Sequence, residues 1–212
     1  MDTFNSDDQL AALKAWWKQY GVALIAGVML GVVVLVGIKY WREHRMQKAE
    51  TASQLYELLV QNYQTGKPED VVLASRQLIE GFESTPYAGK AALLLARNRF
   101  DAGDLPGARQ QLEWAMKNAR ESAVQHSARL RLARLQMDQG DAEGALATIK
   151  VRDTEGFTSE YEEIKGDLLL AKGDRDGARR AYQAALDSLP RNSGYGRLLS
   201  MKRDNLGPEG RS

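Results

Sequence analysis

One stretch of the chain differs from all others in its pattern. From Gly21 to Ile38 no position is charged or strongly polar. Eighteen such residues, at about 1.5 Å each, reach roughly 27 Å, close to the ~30 Å hydrocarbon core of a bilayer. A helix without a polar face does not suit a protein surface, so the pattern predicts a transmembrane helix over 20–38. Trp16 and Trp17 precede the run and Tyr40 and Trp41 follow it, the amphipathic rings expected at both membrane–water boundaries. Lys18 and Lys39 bracket it. The run ends in Lys39-Tyr40-Trp41-Arg42 rather than in the small residues of a cleavage site, which points to a retained anchor. Within it Ala23, Gly27 and Gly31 recur at every fourth position, and Gly27 and Gly31 form a GxxxG motif suited to close approach of another membrane helix.

Beyond Glu50 the pattern changes to short helical periods rich in Ala, Leu, Arg, Gln and Glu. Three segments align: Gly103-Asp104-Leu105-Pro106-Gly107-Ala108-Arg109, Gly140-Asp141-Ala142-Glu143-Gly144-Ala145-Leu146 and Gly173-Asp174-Arg175-Asp176-Gly177-Ala178-Arg179. Their starts lie 37 and 33 residues apart, and a weaker copy begins at Gly66. Such a period belongs to helix-turn-helix repeats. The first Gly of each copy suits the left-handed residue that ends a helix, and the Asp after it suits a helix N-cap. Ala108, Ala145 and Ala178 follow on the second helix; Ala96, Ala133 and Gly166 precede on the first. Small residues on facing helices let an antiparallel pair pack closely, so these six are the expected repeat-packing positions. Helices are predicted over 46–65, 69–83, 87–102, 105–119, 122–139, 142–150, 159–172, 175–188 and 195–205. The expected organisation is a short tail (1–19), the membrane helix (20–38), a juxtamembrane linker helix (39–50), a repeat domain (51–206) and a polar tail (207–212). The fold class is therefore all-α, a single transmembrane helix followed by an α-solenoid of helical hairpins.

Composition narrows the chemistry. The 212 residues include 29 basic and 28 acidic side chains, a formal net charge of +1, which disfavours nucleic-acid binding driven by counterion release. There is no Cys, so disulfides, thiolate metal sites and thiol nucleophiles are excluded, and only His44 and His126 could offer imidazole. No phosphate-cradling Gly-rich loop of the GxxxxGK[ST] type and no GxSxG elbow occurs. Glu162-Glu163 and Asp7-Asp8 are neighbours in sequence, hence divergent on a helix, and read as solvated faces. His126 reads as a packing or surface residue rather than a ligand. Lys117, Arg120, Arg129, Arg131 and Arg134 form a basic stretch, read as a solvated face or a surface for an acidic partner. The expectation is a binding protein, not an enzyme, with no cofactor, metal or catalytic residue.

The repeat pattern resembles the tetratricopeptide repeat, with its small residue in the first helix, its helix-ending turn and its early Ala in the second. Pro190 also falls where that family often places Pro. The whole arrangement, from Lys14-Ala15-Trp16-Trp17 and Tyr20-Gly21 through Gly27-Val28-Met29-Leu30-Gly31-Val32 and Tyr40-Trp41 to the late repeats, resembles the YfgM-like family, the ancillary SecYEG translocon subunits of Gram-negative bacteria. The resemblance implies an inner-membrane protein with a cytoplasmic N-terminus and a periplasmic repeat domain. It implies partners in the SecYEG translocon and a membrane-anchored periplasmic chaperone of the prolyl-isomerase type, and a role in passing exported client proteins to chaperones. The local charges point the other way. Lys39, Arg42, Arg45 and Lys48 outnumber Lys14 and Lys18, a bias that places the C-terminal side in the cytoplasm. A membrane-tethered regulator that sequesters a signalling protein therefore stands as the alternative.

Overall fold

The Gly-Asp pairs set the architecture because each one ends a helix and starts the next. The computed structural model describes residues 4–190 and 193–207, with side chains described from Leu10 onward except Ala23. Its helices are α1 (Phe4–Gln64), α2 (Pro68–Gly81), α3 (Pro86–Asp101), α4 (Leu105–Asn118), α5 (Ser122–Asp138), α6 (Ala142–Ile149), α7 (Thr158–Ala171), α8 (Arg175–Asp187) and α9 (Tyr195–Asp204). No strand occurs among the described residues. The chain divides into two units, Met1–Glu50 and Thr51–Ser212.

In the first unit α1 is already helical at Phe4, inside the segment expected to be a tail, since no Pro or Gly interrupts residues 4–20. Among the described residues α1 alone is long and apolar enough to cross a membrane, with a window of mean hydropathy 2.1 of which nothing is buried. The large apolar side chains between Val22 and Ile38 are all at least 44% exposed. There are twelve of them. At roughly 2 kcal/mol each, their withdrawal from water is worth on the order of 20 kcal/mol. None of the described residues of the first unit covers them. Ring contacts cluster at the ends of the run: Trp16 and Tyr20 lie 5.9 Å apart, and the Arg45 guanidinium sits 4.6 Å from the Trp41 ring. An added Cβ at Gly27 or Gly31 would meet nothing within 4 Å, so this face is open; the side chain of Ala23 lies outside the described residues.

In the second unit, four helix ends share one closure. Gly66, Gly103, Gly140 and Gly173 adopt φ of +70°, +78°, +80° and +84°. The residue after each donates its N–H to the carbonyl five residues back: Lys67 to Asn62, Asp104 to Arg99, Asp141 to Gln136 and Asp174 to Leu169. In three copies the aspartate then caps the next helix, accepting from the backbone N–H of Gly107, Gly144 or Gly177 at 2.9, 2.8 and 2.8 Å. The second glycine of the motif has its own reason. A Cβ on Gly107, Gly144 or Gly177 would stand 2.1 to 2.2 Å from the capping carboxylate. Cap and glycine are thus one device, a pairing that reading the motif for its first Gly and its Ala does not reveal.

The core follows as a row of clusters between successive hairpins. Ala52, Leu59, Val71, Ala74, Leu78 and Ala91 join the end of α1 to α2 and α3. Ala96, Ala108, Leu112, Leu132 and Leu135 join α3, α4 and α5. Leu130, Ala133, Ala145, Ile149, Tyr161, Ile164 and Leu168 join α5, α6 and α7. Ala178, Tyr182 and Leu206 close the far end. Such nearest-neighbour packing is the physics of a solenoid. The copy at Gly66 is weaker in structure as in sequence. Lys67 supplies no side-chain cap, and Ser75 takes the place held by Leu112, Ile149 and Tyr182, fully buried with no partner for its hydroxyl.

The cap and the glycine should therefore fail together. We expect Asp141→Ala to cost about 1 kcal/mol. Gly144→Ala pushes the carboxylate off its N–H while gaining roughly 1 kcal/mol of helix propensity, and so changes stability little. In the Gly144→Ala background Asp141→Ala should cost almost nothing. A double-mutant cycle by thermal melting of the detergent-solubilised chain measures this; additive costs would refute the shared device.

Candidate functional site

The small residues that let the hairpins approach also leave room on one face. Ala96 on α3 and Ala108 on α4 are 3% and 1% exposed, and beside them lies a groove of about 630 Å³. Its floor is Leu93, Leu112 and Leu135, continuous with the core between α3, α4 and α5. Tyr56 and Tyr63 from the end of α1 and Phe100 from α3 form an aromatic wall. The groove is lined chiefly by the first helices of three successive hairpins, so it spans repeats rather than belonging to one.

Four cations stand around it, and three have partners. Lys90 is 3.3 Å from Glu121. Arg97 donates to Asp101 at 3.0 Å, and Tyr63 donates to the same carboxylate at 3.3 Å. These contacts raise the Arg97 guanidinium above its ordinary value, the hydrogen bond to Asp101 contributing most. Arg134 donates to Glu163 at 2.9 Å. Arg131 has no hydrogen-bond or ion-pair partner among the described residues. Its guanidinium is lowered from its ordinary value, first by desolvation against the groove and then by repulsion from Arg97 and Arg134.

Past the groove, α5, α7, α8 and α9 share a charged network. Glu163 is only 4% exposed, which corrects its reading as a solvated carboxylate; its neighbour Glu162 does face solvent and pairs with Lys165. Glu163 accepts from Arg134, from Lys202 at 2.8 Å and from the Tyr195 hydroxyl. Lys202 also donates to Asp167 at 2.7 Å, and the Tyr182 hydroxyl donates to Asp167 at 2.6 Å. Burial raises the Glu163 carboxyl, but the hydrogen bonds from Lys202 and Tyr195 outweigh it and hold it below the usual carboxylate range. Burial likewise lowers the Lys202 ammonium, and its bonds to Asp167 and Glu163 bring it net above its ordinary value. Glu163 and Lys202 are 39 residues apart, and only the arrival of α9 against α7 brings them together.

The six repeat-packing positions of the sequence lie in the core. Ala133, Ala145 and Ala178 have no exposed surface, and Ala96 and Ala108 border the groove as well. Gly166 faces Tyr182 so closely that a Cβ would stand 2.5 Å from the ring. Gly89 is equally tight, since a Cβ there would stand 2.7 Å from the Ala119 Cβ, a contact that no repeat motif announces. The basic stretch splits by direction: Arg134 turns to Glu163, Arg131 to the groove, and Arg120 to solvent. His126 is a packing residue, 5% exposed, with its Nδ1 2.8 Å from the Tyr161 hydroxyl and its ring stacked on Phe157 at 5.3 Å. No cluster of three or more metal-ligating side chains occurs among the described residues.

Comparison with known proteins agrees with this architecture. The family of the tetratricopeptide repeat-like domain matches residues 14–208. The chain is 33% identical over 202 residues to the ancillary SecYEG translocon subunit of Escherichia coli strain K12, covering 95% of this chain and 97% of that protein. It is 31% identical to the protein of the same name from Aggregatibacter actinomycetemcomitans, over 88% of this chain and 91% of that one. It is 27% identical to the one from Neisseria gonorrhoeae, over 93% and 95%.

The network gives stability a defined pH window. The depressed Glu163 contributes above the ordinary carboxylate range near pH 4, a contribution lost as pH falls through its native value. The raised Lys202 contributes below its ordinary value near pH 10, a contribution lost as pH rises through its native value. We expect Lys202→Met to cost about 2 kcal/mol at pH 7, less than a fully buried pair because Lys202 is partly exposed and Arg134 remains. The gap between wild type and variant should shrink as pH falls below the ordinary carboxylate range and through the lower native value of Glu163, where the protonated carboxyl no longer needs a cation. Melting curves across that range measure it, and a gap independent of pH would refute the assignment.

Proposed function

Because the chain belongs to the YfgM-like family of ancillary SecYEG translocon subunits, we propose that it is a membrane-anchored interaction scaffold that works beside a SecYEG translocon. The observation that carries this reading is the pairing of the bare apolar stretch of α1 with a repeat domain that offers a groove. Tetratricopeptide-like stacks present extended surfaces to other proteins, which suits binding rather than catalysis. In this reading residues 20–38 span the inner membrane once, and Ala23, Gly27 and Gly31 provide a face for another membrane helix. The repeat domain lies in the periplasm, where it meets a membrane-anchored prolyl-isomerase-type chaperone and passes exported chains to it. The absence of Cys suits an oxidising compartment.

The basic residues Lys39, Arg42, Arg45 and Lys48 favour the opposite orientation and, with it, a cytoplasmic regulator that holds a signalling protein. Long domains are exported largely regardless of such charges, and family membership weighs more. An alkaline phosphatase fused after Ser212 should be active and a fluorescent protein there dark. The reverse result would favour the regulator. Photo-crosslinkers at Gly27 and Gly31 should capture translocon subunits; their failure to do so in a membrane-inserted chain would count against the scaffold reading.

A further inference from the structure

We propose that the cleft between α8 and α9 binds a phosphate group, with Arg179 and Arg180 holding its oxygens and Arg203 at its edge. A comparison between two copies of the repeat leads there. Arg109 in α4 and Arg179 in α8 occupy the same place in the motif, directly after the packing residues Ala108 and Ala178. Four positions further on, and so on the same helix face, α4 has Glu113 and α8 has Gln183. The Nε of Arg109 donates to Glu113 at 3.0 Å. The Nε of Arg179 is buried and has no hydrogen-bond partner among the described residues. The α8 copy keeps the cation, lacks the anion, and leaves unsatisfied the atom that the anion satisfies in α4.

Gln183 is engaged elsewhere. Its carbonyl oxygen accepts from Arg203 at 2.7 Å, and its amide nitrogen donates to Asp187 at 2.8 Å. These residues, with Arg179 and Arg180, line a cleft of about 430 Å³. Arg203 is paired with Asp204 at 2.8 Å. Arg180 is exposed and has no hydrogen-bond or ion-pair partner among the described residues. Asp187, the acid of the cleft, lies seven residues beyond Arg180, roughly 10 Å along the helix. Arg179 and Arg180 thus bring two guanidinium charges that no ion pair among the described residues balances. A phosphate monoester near pH 7 carries a charge of about −1.5 to −2 and three acceptor oxygens, enough to answer both. Guanidinium groups meet such oxygens with paired hydrogen bonds. A carboxylate brings one charge and two oxygens, so it answers one arginine and leaves the other. Dissolved phosphate and a phosphate-bearing lipid headgroup offer the same chemistry. This inference stands on the cleft alone and does not require the translocon assignment.

The test uses the full chain in nanodiscs of zwitterionic lipid. Phenylglyoxal modifies accessible guanidinium groups, and mass spectrometry of the digested chain gives the rate at each arginine. Saturating inorganic phosphate should slow modification of Arg179 and Arg180 at least fivefold and leave exposed Arg120 unchanged. Acetate at equal ionic strength should protect none of them, which sets aside general screening. Gln183→Glu recreates the α4 pairing within α8, and should raise the phosphate concentration for half-protection roughly tenfold, about 1.4 kcal/mol. Arg180→Gln alters an exposed side chain, leaves the fold undisturbed, and should weaken the protection of Arg179 at least fivefold. A second set of discs, containing one-tenth phosphatidic acid and no free phosphate, distinguishes the sources. Protection there assigns the site to a lipid headgroup; protection by dissolved phosphate alone assigns it to a soluble one. Protection by neither would overturn the proposal. So would equal slowing of Arg120, equal protection by acetate, or protection that both variants leave intact.

Discussion

Close approach of helices at small side chains is the constraint on which the rest of the second unit depends. Ala96 and Ala108 share one core cluster and Ala133 and Ala145 another, and Gly166 lies so near Tyr182 that a Cβ there would stand 2.5 Å from the ring. That closeness fixes the turn, since helices this near must be joined by a short closure. The left-handed glycine and its capping aspartate supply one in a few residues. It also fixes the groove, because alanines at the seam leave space on the face where three first helices meet. A bulky residue at Ala96 or Ala108 would alter hairpin geometry and groove depth at once, so the packing and the binding surface cannot be varied independently.

Most of the architecture was legible in the chain. The apolar run and the Gly-Asp spacing depend on local physics, which is why the helices of the second unit begin and end within a few residues of where periodicity places them. What escaped was long-range. Glu163 looks like one half of an acidic pair on a solvated helix, and nothing nearby in sequence warns that Lys202 and Tyr195 will bury it. Arg131 and Arg134 look alike in a basic stretch, yet three residues around a helix send one into the groove and the other to a carboxylate on α7. The start of α1 escaped for another reason: polarity marked residues 1–19 as a tail, although absence of charge is not a condition for helix.

The two units answer to different solvents. Across the apolar run of α1, stability comes from what surrounds the helix, since its large apolar side chains stay exposed among the described residues of the first unit. In the second, stability is divided among nearest-neighbour clusters and finished by a charged network at the C-terminal end, where α9 supplies Tyr195 and Lys202 to carboxylates of α7. A terminal element that satisfies buried charge serves as the cap that a repeat stack requires.

The contact between each capping carboxylate and the second glycine carries a genetic consequence. A mutation that adds a methyl at Gly107, Gly144 or Gly177 removes the reason to keep the aspartate three positions earlier, and loss of the aspartate frees the glycine to drift. The two codons therefore travel as a linked pair. The chain holds its own instance of the alternative state, because the copy at Gly66 has Lys67 where the others have aspartate and Asp70 where they have the second glycine. Duplicated hairpins can thus diverge in correlated two-residue steps while the fold they share persists.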